Sequence, residues 1–157
     1  MTRTRKSTRY KLAIPIIVLL ALILAACAST GSSGDYKKRS ELLSTSVEAF
    51  NGAFKWEDYS AAATFVPPGK KDEFWAEVDR FKGKVRIVEY QIRELENEEK
   101  SCSATVILYF QYWRTDSPTV QNLSINQKWY YIEKEKQWKL LDSGLGAMTM
   151  TRTRGSF

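Results

Sequence analysis

Histidine is absent from all 157 residues. That removes the commonest metal ligand and the base of every Ser-His or Cys-His arrangement. Cysteine is nearly absent, with only Cys27 and Cys102, so neither a CxxC pair nor a zinc-ligand cluster can be assembled. Long apolar runs are also scarce. One unbroken stretch, Leu12 to Ala26, is the exception, and it sits near the beginning of the chain.

That stretch follows a basic leader carrying Arg3, Arg5, Lys6, Arg9 and Lys11. Small residues then lead to a cysteine: Leu24-Ala25-Ala26-Cys27. Charged, apolar and small-residue regions in this order are the parts of a secretory signal peptide. The apolar run falls short of the ~20 residues needed to cross a bilayer as a helix, and Pro15 disfavours a long regular helix. The pattern around Cys27 resembles the lipobox of bacterial lipoproteins. That resemblance implies cleavage between Ala26 and Cys27, a lipid on the Cys27 sulfur, and acylation of the new N-terminus with fatty acids such as palmitate. Two or three chains suffice for stable anchoring, whereas one binds only marginally. The expected location is the cell envelope: in a Gram-negative host, the outer membrane facing the periplasm, since Ala28 rather than Asp follows the cysteine.

The leader holds five of the 24 Lys and Arg residues and none of the 18 Asp and Glu, which leaves 19 against 18. The formal charge of +6 therefore belongs mostly to the leader. Nucleic-acid binding, which needs a concentrated basic surface, is not expected. With Cys27 lipidated, Cys102 has no internal disulfide partner. Its expected place is a small buried residue on a strand, as for most free cysteines.

Residues 1–26 are thus expected to be signal peptide, 27–34 a Gly/Ser-rich flexible tether, 35–145 one folded domain, and 146–157 a mobile tail. Tyr36, Leu43, Val47, Phe50 and Phe54 recur at helical spacing, and Asn51-Gly52 should weaken that helix near its end. A second helix fits Trp56–Phe65, with Trp56 and Tyr59 on its inner side, and Val66-Pro67-Pro68-Gly69 stops it. A third fits Asp72–Phe81, with Phe74, Val78 and Phe81 on one face, widened by Trp75.

From Lys84 the period becomes two. Strands are expected from Lys84 to about Leu95, Cys102–Arg114, Asn122–Glu133 and Gln137–Asp142. In the first, Val85, Ile87 and Glu89 should share a face. Helices segregated before strands give an α+β domain: three N-terminal helices packed on a curved four-stranded antiparallel sheet.

The stretch from Ser46 to Leu141 resembles the NTF2-like (cystatin-like) superfamily. The residues carrying the resemblance are Ala49-Phe50, Trp56-Glu57-Asp58-Tyr59-Ser60-Ala61-Ala62, Phe65-Val66-Pro67, Phe74-Trp75, Lys128-Trp129-Tyr130-Tyr131 and Trp138-Lys139-Leu140-Leu141. They are packing residues. The resemblance implies a bent sheet and three helices enclosing a cone-shaped pocket. It also implies two classes of function. One is a ketosteroid-isomerase-like or dehydratase-like enzyme using a pocket Asp and Tyr, to which Asp58, Asp142, Tyr59, Tyr109 and Tyr112 could contribute.

The other class, which the sequence favours, is a non-catalytic binding or assembly module. No catalytic residue, metal site or cofactor is assigned, because no acid–base pair has an identifying spacing. Tyr59, Tyr109, Tyr112 and Trp113 are the candidate binding or interface residues. One face of the second strand should point to the helices. The other should expose aromatics, either Tyr109 and Trp113 or their alternates Phe110 and Tyr112. The partners this allows are a second copy of the chain, another envelope protein or a small apolar ligand.

Overall fold

The computed structural model describes residues 31–97 and 102–150. Ala26, Cys27 and the signal peptide lie outside the described residues, as does 151–157. Among the described residues no helix is long and apolar enough to cross a membrane. By its contacts the chain divides into Met1–Arg39 and Ser40–Phe157. The second unit holds the core.

Helix α1 spans Gly31–Lys55, so residues 31–34 of the expected tether are helical. Its inward face is Leu43, Val47, Phe50 and Phe54, all buried. The helix continues through Asn51-Gly52 to Lys55. The Asn51 amide is turned inward and donates to the Val47 carbonyl one turn back, at 2.8 Å.

The helix stops one turn later through a Schellman arrangement. The Glu57 N–H donates to the Phe54 carbonyl (3.1 Å) and the Asp58 N–H to the Ala53 carbonyl (2.9 Å). Glu57 sits at φ 60°, the left-handed position usually given to glycine. This turn lifts Trp56 out of the protein: it is 79% exposed, where the sequence places it on an inner helical face. Asp58 then caps helix α2, Tyr59–Ala63, its Oδ1 accepting from the Ala61 N–H at 3.0 Å.

A 3₁₀ turn at Pro68–Lys70 leads into helix α3, Lys71–Phe81. Phe74, Val78 and Phe81 are buried as the periodicity requires. Trp75 is exposed, its ring edge against Phe74, and does not widen the buried face.

Strands β1 (Val85–Asn97), β2 (Ser103–Arg114), β3 (Ser117–Ile132) and β4 (Gln137–Asp142) form one antiparallel sheet in chain order. The start of β3 comes earlier than expected because a two-residue turn, Thr115-Asp116, is enough. Arg114 closes it with two hydrogen bonds to the Asp116 carboxylate, at 2.8 and 2.6 Å.

In β1 the strict alternation fails. Register shifts fall between Ile87 and Glu89 and between Ile92 and Glu94. Each extra residue advances the side-chain phase by one. The inner row is therefore Val85 and Ile87, then Tyr90 and Ile92, then Leu95; Glu89 is exposed. Bulges also bend the strand, which wraps the sheet around the helices.

On β2 the inner row is Ala104, Val106, Leu108, Phe110 and Tyr112, all buried. Cys102 precedes the strand and is exposed, its Sγ 3.6 Å from Glu133 Oε1. It is not the small core residue expected.

The sequence ends the domain at 145. The structure carries the core further: a 3₁₀ turn at Leu145–Met148 buries both Leu145 and Met148 completely. Gly144 enters this turn at φ 65°. A Cβ there would lie 2.9 Å from the Asn126 carbonyl, so only glycine fits.

Candidate functional site

The space between α1 and the sheet is where the resemblance places a pocket. It is filled by rings. Phe50 packs edge-on against Trp129 (5.9 Å between centroids) and Phe65 (6.4 Å). Phe54 packs against Phe81 (4.8 Å) and Tyr59 (5.1 Å). Among these rings lie two buried amides. Asn51 Nδ2 donates to Gln127 Oε1 at 3.1 Å and Gln127 Nε2 donates to Asn51 Oδ1 at 2.9 Å. The Trp129 indole N–H also reaches Gln127 Oε1, at 3.4 Å. Groups so thoroughly paired have little capacity left to orient a substrate.

The sequence-derived site residues are not brought together. Tyr112 is on the inner face and donates to Gln121 Oε1 at 3.1 Å. Tyr109 and Trp113 are on the outer face, both half-buried rather than exposed. The Arg93 guanidinium lies 5.1 Å above the Tyr109 ring. Trp113 faces Arg86 across the β1–β2 ladder. Asp58 is spent on its cap, and Asp142 Oδ1 accepts from the Gly144 N–H at 3.0 Å.

Tyr59 is different. Its ring is buried against Phe54, and its hydroxyl is a buried polar atom without a hydrogen-bond partner. Burial, reinforced by the Glu57 carboxylate, pushes its phenol upward, and Arg86 opposes this.

Surface cavities lie elsewhere among the described residues, and three bear on function. One, of about 260 Å³, brings Leu42, Phe65 and Trp138 beside Lys136 and Lys139; its apolar members suit a small apolar group. The Lys139 ammonium donates to the Thr64 carbonyl at 2.9 Å. A second, of about 320 Å³, is lined by Lys55, Trp56, Glu57, Arg86 and Ile87. Sequence reasoning missed it because it placed Trp56 in the core. The third, of about 180 Å³, lies between α3 and β4 and includes Glu77, Arg80 and Asp142.

Glu77 was not singled out from the sequence, although its place three residues after Phe74 and four before Phe81 puts it beside the inner face. Its Oε2 accepts from the Ser143 hydroxyl at 2.7 Å, and it also takes a backbone hydrogen bond from Gly146. Burial raises its carboxyl above the usual range against these two hydrogen bonds and Arg80. A carboxyl with a raised pKa is a candidate acid. Here the carboxyl group is committed, through Ser143 and Gly146, to holding the C-terminal turn. Among the described residues no group of three or more His, Cys, Asp or Glu is placed to hold a metal ion.

The fold is similar to that of a ketosteroid isomerase-like protein from Erwinia carotovora atroseptica SCRI1043. The match has a TM-score of 0.50 and 15% identity, and covers 64% of this chain and 88% of the other. At that identity the likeness concerns the fold alone: helices packed on an open four-stranded antiparallel sheet. No family model matches the chain, and no curated protein does.

Proposed function

We propose that the protein is a lipid-anchored component of a bacterial cell envelope whose NTF2-like domain binds a partner and carries out no catalysis. The anchor rests on the leader and on Leu24-Ala25-Ala26-Cys27. In a Gram-negative host the domain faces the periplasm from the outer membrane.

One observation favours binding over catalysis. The acids and phenols that an isomerase-like reaction would draw on are dispersed, while the interior is closed by aromatic packing around Asn51 and Gln127. The structural neighbour is a ketosteroid isomerase-like protein. Yet in the cavities formed by the described residues no carboxylate stands beside Tyr59, Tyr109 or Tyr112 in the manner that general acid–base work requires.

The binding surface is the outer sheet face around Tyr109 and Trp113, which points away from the helical core. Its occupant is a second copy of the chain or another envelope protein. Two measurements test the reading. Replacing Cys27 with Ser should abolish labelling by a clickable palmitate analogue and free the chain from the membrane; unchanged labelling and retention would remove the anchor. Sedimentation of the intact chain in detergent, with and without envelope extract, should show a complex that Trp113→Glu weakens. A strictly monomeric protein that turns over a small carbonyl or steroid-like compound would promote the enzyme reading instead.

A further inference from the structure

The cavity at the end of α1 has an unbalanced set of polar groups. Lys55 and Arg86 can only donate hydrogen bonds, and so can the Trp56 indole N–H. Glu57 is the one carboxylate in the lining, and it touches Arg86 through a single 3.5 Å contact between Oε1 and Nη1. The Lys55 ammonium lies 5.6 Å from the Trp56 ring centroid. Donors therefore exceed acceptors, and the site carries a net positive charge.

We propose that this cavity binds a small planar organic acid, with its flat part on the Trp56 indole and its carboxylate on Arg86. A guanidinium binds a carboxylate bidentately, and Arg86 keeps most of its fork available because Glu57 takes one weak contact. The exposed indole offers a flat apolar face, held out by the Schellman turn and needing no rearrangement to be used. Arg86 also faces Trp113 across the β1–β2 ladder, so the site adjoins the outer-face surface proposed above; the resonance of Trp56 reads this site, and sedimentation of Trp113→Glu reads the other.

The test is a titration of the intact, ¹⁵N-labelled chain in detergent micelles with benzoate, read at the Trp56 indole N–H resonance, which Trp56→Phe assigns. Benzyl alcohol supplies the ring without the charge, and inorganic phosphate the charge without the ring. Benzoate should shift the resonance saturably and bind more tightly than either control. Arg86→Gln should weaken it about tenfold or more, the scale expected for losing a charge-assisted pair. Absence of a saturable shift overturns the proposal. So does an equal response to phosphate, or an Arg86→Gln variant that binds benzoate as the parent does.

Discussion

Asn51 on α1 and Gln127 on β3 exchange two hydrogen bonds, at 3.1 and 2.9 Å, while neither is accessible to solvent. The pair fixes the helix on the sheet by geometry where the surrounding rings fix it only by shape. Removing one amide leaves the other buried with part of its hydrogen bonding unmet, Asn51 keeping only the Val47 carbonyl or Gln127 only the Trp129 indole N–H, a loss of about 1–3 kcal/mol on top of any misfit. Asn51→Leu and Gln127→Leu should each lower stability by that amount or more. The double variant should recover part of the loss, and not all, because the Trp129 indole N–H loses Gln127 Oε1 as well. A double-mutant cycle by urea unfolding measures the coupling, and additive losses would mean the pair does not act as a unit.

The tryptophans separate by burial. Trp129 and Trp138 are inside the sheet–helix core, and each should cost about 3–5 kcal/mol when truncated to Ala. That is a large share of a typical total of ~5–15 kcal/mol. Trp56→Ala removes a side chain that is mostly in water and should change stability by less than about 0.5 kcal/mol. Thermal unfolding of the three variants gives the ordering directly. A severe loss at Trp56 would contradict the exposed turn.

Much of this fold was legible in the spacing of apolar residues. The α1 face, the α3 face and the four strands follow from periods of 3.6 and two, and the boundaries of β4 from its charged turn. What could not be read depends on single residues breaking those periods. The β1 bulges move Tyr90 and Ile92 onto the face of Val85 and Ile87, a shift set by pairing with β2 rather than by β1 itself. A Schellman turn without glycine at its left-handed position hid the end of α1, and so put Trp56 on the wrong side. The buried C-terminal turn hid for a third reason: its Leu145 amide is satisfied by the Ser143 hydroxyl and its Gly146 amide by Glu77, a distant partner that no local pattern announces. The outer-face row containing Tyr109 and Trp113 follows from alternation. Its half-covered state does not, because Arg93 lies over Tyr109.

Glu57 occupies a left-handed backbone position at a helix end. An L residue there carries a steric cost of roughly 1–2 kcal/mol that glycine avoids, while glycine loses more chain entropy on folding. The net expectation for Glu57→Gly is a gain of about 0.5–1 kcal/mol. Its contact with Arg86 is exposed on both sides, so losing it offsets little. Chemical denaturation should show the midpoint moving up at an unchanged slope. A drop in stability would mean that the Glu57 carboxylate holds the turn through Arg86.

Glu77 gives the domain a pH dependence whose sign can be worked out. Its carboxyl is raised in the folded state, first by burial, while in the unfolded chain it titrates near its ordinary value of 4.5. The groups acting on it are Ser143, Gly146, Arg80 and Asp142. Between the ordinary value and the raised one, the folded state holds the proton and the unfolded state releases it. Stability from this group is therefore full below pH 4.5 and falls as pH rises through that window. Glu77→Gln keeps an oxygen that can accept from Ser143 or Gly146 and removes the titration. Relative to the parent, the variant should become progressively more stable as pH increases from 4.5, and the difference should level off once Glu77 is ionised in both states. Unfolding midpoints from pH 4 to 8 check this. A difference that stays constant across that range would show that the Glu77 carboxyl titrates alike in the folded and unfolded chain.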